Sequence, residues 1–255
     1  MECVDQLGRK LQFSKPPKRV VSLVPSQTEL LVDIGLRENL VGVTKFCIHP
    51  KDLRKNITVV GGTKNVNYKK IEALRPDIII CNKEENTKEI VEGLSLIAPV
   101  WVSDIYTIEH VFEMIHSIGE IFNVSQNASI LIEGIKSSKA SFLKNFQPVE
   151  KSVYYLIWKN PFMVAGQDTF INTLLKLNNY KNLSEKNSRY PEVSITDLKK
   201  ADLVLLSSEP FPFKEQDMIK LKKELNTEVL LVDGEYFSWY GSRLKDSFNY
   251  FKSLH

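Results

Sequence analysis

Aromatic and basic side chains gather in a few short stretches of this chain. Asp233 to Arg243 holds Tyr236, Phe237, Trp239 and Tyr240 within five residues, followed by Arg243. Such density suits contact with a flat or ring-shaped ligand. Thr44 to Pro50 carries Lys45, Cys47 and His49, and Gly61-Gly62-Thr63-Lys64-Asn65 places a cation just after paired glycines. That stretch lacks the G-x-x-x-x-G-K-[ST] spacing of a phosphate loop, and no G-x-G-x-x-G follows an apolar run. Ser26 lacks the flanking glycines of a nucleophile elbow. Glu84-Glu85 is simply explained as the acidic start of a helix, and Glu209 as part of a Ser-Ser-Glu-Pro-Phe-Pro turn. Nothing in these patterns requires catalysis. Binding is the chemistry they favour.

These residues follow apolar runs. Val20 to Val24, Leu40 to Val43, Asp77 to Cys81 and Val100 to Val102 read as buried strands, as do Ser152 to Ile157, Asp202 to Leu206 and Glu228 to Val232. Helical spacing appears at Thr28 to Ile34, Tyr68 to Leu74 and Asn86 to Leu96. Buried strands alternating with helices predict βα units and mostly parallel sheets. Ligands of open parallel sheets sit beyond the carboxyl ends of the strands. Ser26, His49, Thr63, Lys64, Trp158 and the 233–243 loop all fall there.

Between Ile108 and about Phe146 the apolar residues keep helical spacing and no strand is expected. Gly119 and Asn123 can punctuate the run, and Ser125 or Asn127 can cap the next helix. Such a segment reads as a rigid strut. The flanking halves also look alike: a helix end, Asp77, an apolar strand and Glu84 recur as a helix end, Asp202, an apolar strand and Glu209. A pseudo-duplicated protein of two α/β lobes is expected.

Composition narrows the classes. With 34 basic and 31 acidic residues the net charge is +3, too small and too interleaved to favour nucleic acid. Cys3, Cys47 and Cys81 are too few for a disulfide scaffold, with Cys81 expected as a free thiol, and no cluster has zinc-site spacing. No apolar run approaches the ~20 residues of a membrane helix. The N-terminus lacks a basic-then-apolar leader pattern, so the expectation is a cytoplasmic protein or one whose leader has been removed. His110 and His116 are expected in structural positions on the strut, and His255 as a disordered terminus.

Several of these segments resemble one family. Arg19-Val20-Val21-Ser22-Leu23-Val24-Pro25-Ser26-Gln27-Thr28-Glu29-Leu30 is similar to the first βα unit of the substrate-binding proteins of ABC importers for vitamin B12 and iron-siderophores. Ile71 to Ile80 resembles their helix, Leu-x-Pro-Asp, strand signature. Asn160-Pro161 with Ala165-Gly166 resembles the opening of their second lobe, and Ser188 to Ser194 a cleft loop. The resemblance runs over roughly Asp5 to Leu254. It implies two Rossmann-like lobes with mostly parallel sheets, bridged by a single long α-helix: an N-terminal lobe at 1–122, the bridging helix at 123–147 and a C-terminal lobe at 148–255. It implies a cleft between the lobes with limited closure, and no catalysis.

The ligand implied is a corrinoid such as cobalamin, or a ferric siderophore or haem, as cargo rather than prosthetic group. The implied partner is an ABC permease; the chain is expected to be monomeric, not membrane-embedded, and periplasmic or at the cell surface. The expected contacts are Ser26, His49, Thr63, Lys64, Trp158, Tyr190, Phe237, Trp239, Tyr240 and Arg243. His49 is a candidate axial metal ligand, and Trp158 and Tyr190 are expected to face His49 and Lys64 across the cleft. The family's acidic docking positions fall at Lys69 and Thr196, with Glu72 and Asp197 close by. Two other readings stand beside this one: a cytosolic sensor or enzyme on the same scaffold, and a partner-binding module whose aromatics turn into its core.

Overall fold

The computed structural model describes residues 1–146, 149–187 and 189–255. The chain divides into two compact units. Unit 1 comprises Met1–Ile105, Glu109–Ser137 and Tyr240–Lys245; unit 2 comprises Tyr106–Ile108, Ser138–Trp239 and Asp246–His255. Tyr240 to Lys245 thus belong with unit 1, although the sequence reading placed them in the C-terminal lobe. Positions 147, 148 and 188 of that reading lie outside the described residues.

Unit 1 opens with an antiparallel ribbon of β1 (Glu2–Val4) and β2 (Lys10–Gln12). The chain then runs through β3 (Val20–Ser22), α1 (Pro25–Asp33), β4 (Leu40–Val43), α2 (Leu53–Asn56), β5 (Thr58–Val59), α3 (Tyr68–Ala73), β6 (Ile78–Asn82), α4 (Lys88–Ser95) and β7 (Val100–Ser103). The strands form one parallel sheet in the order β5-β4-β3-β6-β7. Strands β3, β6 and β7 are buried throughout because helices cover both faces of such a sheet, which is why they read as apolar runs. Helices α1 and α4 start where the sequence supplies a helix-compatible proline or a cap: Pro25 opens α1, and the Thr87 hydroxyl accepts from the Ile90 N–H.

The predicted strut is two helices, α5 (Ile108–Ile121) and α6 (Ser125–Asn145). They are parted at Asn123, whose φ of 56° is the left-handed conformation common just past a helix end. Helix α6 holds residues of both units, changing over between Ser137 and Ser138.

Unit 2 contains β8 (Lys151–Trp158), β9 (Met163–Val164), α7 (Phe170–Leu177), β10 (Tyr180–Asn182), α8 (Ile195–Leu198), β11 (Leu203–Ser207), α9 (Glu215–Leu225), β12 (Glu228–Val232), α10 (Glu235–Ser238) and most of α11 (Leu244–Lys252). Its parallel order is β10-β8-β11-β12, with β9 antiparallel against β8. The terminal His255 is not left adrift. Its ring lies 4.5 Å from Phe146 and 5.0 Å from Tyr180, its imidazole pairs with Asn178, and burial pushes its pKa down.

The internal likeness read from the sequence has a structural counterpart. Asp77 accepts hydrogen bonds from the backbone N–H of Lys18 (2.8 Å) and Arg19 (2.9 Å), at the start of β3. Asp202 accepts from the N–H of Ser152 (2.8 Å), near the start of β8, and from its hydroxyl. Each aspartate precedes a strand flanked by two parallel partners, and each ties down the chain entering the neighbouring strand.

Candidate functional site

In unit 1 the carboxyl ends of the strands carry a polar floor. Gln27 and Asn82 converge on Ser103: the Gln27 amide donates to the Ser103 hydroxyl, and Asn82 Nδ2 donates to the same oxygen (2.9 Å). Asn82 Oδ1 accepts from the N–H groups of Glu84 (2.8 Å) and Glu85 (3.1 Å), fixing the turn after β6. Asn86 Oδ1 accepts from the Asn82 N–H, while its Nδ2 donates to the Thr63 carbonyl at 2.8 Å. That last bond ties the loop bearing Thr63 and Lys64 to the floor. Gln27 and Asn82 to Asn86 fall among the strand-end stretches that the sequence nominates, whereas Ser103 does not. Gln27, Asn82 and Ser103 all follow apolar strands, where satisfied polar groups are scarce.

Gly61 to Asn67 forms a small hairpin, not a phosphate cradle. Gly61 bridges Val66, the Gly62 N–H donates to the Asn65 carbonyl (2.8 Å), and the Asn67 N–H donates to that of Val60 (2.8 Å). Asn67 then caps α3 by accepting from the Lys70 N–H. Lys64 is exposed at the tip and Thr63 is buried beneath it. Gly61 is required there: its φ is +124°, and a Cβ would lie 2.5 Å from the Asn65 carbonyl oxygen. Gly61→Ala is expected to cost about 1–3 kcal/mol locally. Amide exchange should accelerate first at Gly62 and Asn67, and unchanged protection there would refute the assignment.

Other nominated residues in unit 1 are more enclosed. Ser26 is buried in the first turn of α1. His49, joined to Pro50 by a cis peptide bond, is half-buried and close enough to Glu29 to favour that carboxylate's charge. Among the described residues no group of three His, Cys, Asp or Glu side chains could hold a metal ion. Tyr240 is buried, its hydroxyl bearing on Ser103 and Ser26, and desolvation pushes its pKa far up. Arg243 makes a two-pronged ion pair with Glu29, Nε to Oε2 at 2.9 Å and Nη2 to Oε1 at 2.6 Å. Its charge is committed within unit 1. Cys47 sits between the hydroxyls of Thr28 and Thr44, and Cys81 is wholly buried; burial pushes both thiols up.

In unit 2, Trp158 ends β8 with 41% of its surface exposed, its ring edge-on to Phe211 at 5.6 Å. The neighbouring Lys159 pairs with Asp217. Tyr190 is half-buried in a loop stitched to the segment after β9: the Gly166 N–H donates to the Arg189 carbonyl, and the Arg189 N–H to that of Gln167. A Cβ on Gly166 would meet the Asn187 carbonyl at 2.3 Å, which explains the glycine. Ser188, the start of this loop in the sequence reading, lies outside the described residues.

The aromatic run at 236–240 is used differently from the sequence expectation. Phe237 has no exposed surface and packs against Tyr155 and Phe251, with ring centroids at 5.0 and 4.8 Å. Tyr236 stacks on Tyr250 at 4.5 Å. Trp239 is buried, its indole N–H donating to Glu209, which also accepts from the Ser238 hydroxyl. The density reflects core building, because short α10 can anchor only through large side chains.

Among the described residues, the two α/β units carry aromatic and polar side chains at the carboxyl ends of their parallel strands. Residues 20–217 match the periplasmic binding protein family, and the chain belongs to it. It is 28% identical over 205 residues to the uncharacterized ABC transporter substrate-binding lipoprotein YvrC of Bacillus subtilis, covering 76% of this chain and 63% of that protein. It is 22% identical over 183 residues to a vitamin B12-binding protein of Vibrio campbellii, covering 71% of this chain and 66% of that one. Among solved structures, a possible iron-binding periplasmic solute-binding protein of Staphylococcus epidermidis superposes with a TM-score of 0.80 at 22% identity, covering 94% of this chain and all of that one. Membership agrees with a binding protein rather than an enzyme. Among the described residues no helix is long and apolar enough to cross a membrane.

Proposed function

We propose that this chain captures a metal-carrying ring or chelate outside the inner membrane and hands it to an ABC permease. A corrinoid or a ferric chelate is the ligand class, in line with the vitamin B12 and iron named for similar proteins. The observation that carries this reading is the exposed indole of Trp158 at the carboxyl end of β8, where a parallel sheet places its ligands. Tyr190 joins it in unit 2; Lys64, Thr63 and His49 are the corresponding contacts in unit 1, His49 as an axial or polar contact. Thr196 is exposed on α8, whereas Asp197 is held by the Ser194 cap and by Lys200, leaving Thr196 the freer contact for a permease.

Tryptophan fluorescence tests it directly. Trp101 and Trp239 are buried and Trp158 is exposed, so contact quenching acts at Trp158, and the part of the signal lost in Trp158→Phe reports on it. Titration with cobalamin, cobinamide, haem and a ferric chelate is expected to quench emission with at least one Kd of about micromolar or tighter. Trp158→Phe should abolish most of the signal and weaken binding roughly tenfold. No ligand binding more tightly than about millimolar would overturn the reading.

A further inference from the structure

Unit 1 holds an open pocket of about 870 Å³ between the 61–66 hairpin, the Lys45–Phe46 segment and the start of α3. Three lysines line it, Lys45, Lys64 and Lys69, and no carboxylate does. We propose that this pocket receives the acidic rim of the ligand, so that the natural cargo is a polycarboxylate metal chelate rather than an amide-rimmed corrinoid. The inference rests on the binding reading above and narrows its ligand class.

The first support is the charge of the lining, where three cations meet no carboxylate. Arg37 pairs with Asp52, Lys83 pairs with Asp104, and Arg54 donates to the Lys45 carbonyl at 2.6 Å. Lys45, Lys64 and Lys69 make no ion pair among the described residues. Arg243, the other cation nominated for ligand contact, is committed to Glu29. The acid that bears on Lys64 is Glu85, outside the pocket lining; burial and Glu84 push its pKa up, while Lys64 and Thr63 hold it back. The three lysines are exposed, so their mutual repulsion is screened by solvent, and a multiply anionic ligand can engage all three at once.

The second support is the way the pocket is built. The Lys45 N–H donates to the Gly61 carbonyl at 2.8 Å, pinning that strand end to the hairpin. The bare face of Gly62 accommodates both neighbours: a Cβ there would lie 3.3 Å from the Phe46 ring and 3.6 Å from Lys45 Cε. Lys45 Nζ sits 5.0 Å from the Phe46 ring centre. Asn86 holds the hairpin from below through the Thr63 carbonyl. The exposed Phe46 and Tyr68 line the same pocket as the lysines, giving an apolar surface for the body of a chelate beside cations for its carboxylates.

Calorimetric titration with ferric citrate, an uncharged ferric trihydroxamate and metal-free citrate tests the proposal. The proteins are wild type, the triple variant Lys45→Gln/Lys64→Gln/Lys69→Gln, and Lys70→Gln, whose side chain reaches the Val59 carbonyl outside the pocket lining. The triple variant is expected to bind ferric citrate roughly tenfold or more weakly, and Lys70→Gln within about twofold of wild type. Raising the salt from about 50 to 200 mM should weaken wild type more than the triple variant. Lysine-independent binding of ferric citrate, or equal loss for the trihydroxamate, overturns the proposal and leaves the chelate-binding function standing. If neither ferric chelate binds, that function falls in this class, and metal-free citrate decides the pocket alone: lysine-dependent citrate binding supports it, and none overturns it.

Discussion

Phe237→Ala is expected to lower the stability of unit 2 by about 3–5 kcal/mol, the range for removing a large aromatic from a packed core. A loss of that size corresponds to roughly 10 °C in the melting temperature of a protein this large. The residue has no exposed surface, and its ring meets Tyr155, Phe251 and, edge-on, Tyr250. Tyr155 in turn donates its hydroxyl to Ser207 at the end of β11, so a cavity here would loosen the strand end that supports Glu209 and Trp239. The expected signature is a lowered midpoint in urea with ligand affinity, measured where the variant is folded, within a few-fold of wild type. Full stability with a large loss of affinity would instead make Phe237 a ligand contact, as the sequence alone suggests. Phe237→Leu, which keeps most of the volume, should recover much of the loss.

That example marks where the sequence stops being legible. Strands β4 and β12 coincide residue for residue with the runs at Leu40–Val43 and Glu228–Val232. Strands β6 and β11, buried at all five positions, lie within one residue of the runs at Asp77–Cys81 and Asp202–Leu206, because a strand buried on both faces leaves a continuous hydrophobic imprint. The ribbon β1–β2 and the short β5, β9 and β10 leave no such imprint, since two or three residues carry no period. The aromatic cluster after β12 misleads for a related reason. A five-residue stretch has no periodicity that separates a ring turned to the core from one turned to solvent, and composition cannot tell them apart. Trp158 differs only in its surroundings: it extends past the last buried residue of β8, with Lys159 beside it tied to Asp217.

The convergence of the polar floor was hidden by the same mechanism in reverse. Gln27, Asn82, Asn86 and Ser103 are individually ordinary, and their meaning comes from meeting at the ends of three neighbouring strands. Only the sheet order β3-β6-β7 brings them together. Lys64 was legible as a lone cation after two glycines, whereas Lys45 and Lys69 join it only because the hairpin folds back between them.

Arg243→Met is expected to cost about 2–4 kcal/mol and to make stability fall more steeply with rising pH than it does in wild type. The Arg243 and Glu29 side chains are only 13% and 16% exposed, so removing the guanidinium strands a carboxylate with little water to solvate it. Burial already pushes the Glu29 pKa up, with Arg243 opposing that rise through its hydrogen bonds and charge. Without Arg243 the folded-state pKa rises further above the unfolded value. A raised carboxylate pKa means the folded state holds the proton more tightly, so stability is retained at low pH and lost as pH climbs through the folded value. The gap between wild type and Arg243→Met should therefore be wide at pH 8 and narrow as the pH falls towards about 4, near the ordinary range of a glutamate. Glu29→Gln/Arg243→Met should be more stable than Arg243→Met at neutral pH, since it leaves no stranded charge. A gap that does not change with pH, or a double variant no better than the single, would show that the pair does not anchor the 240–245 segment to α1 and would return Arg243 to the pool of side chains free to meet a ligand.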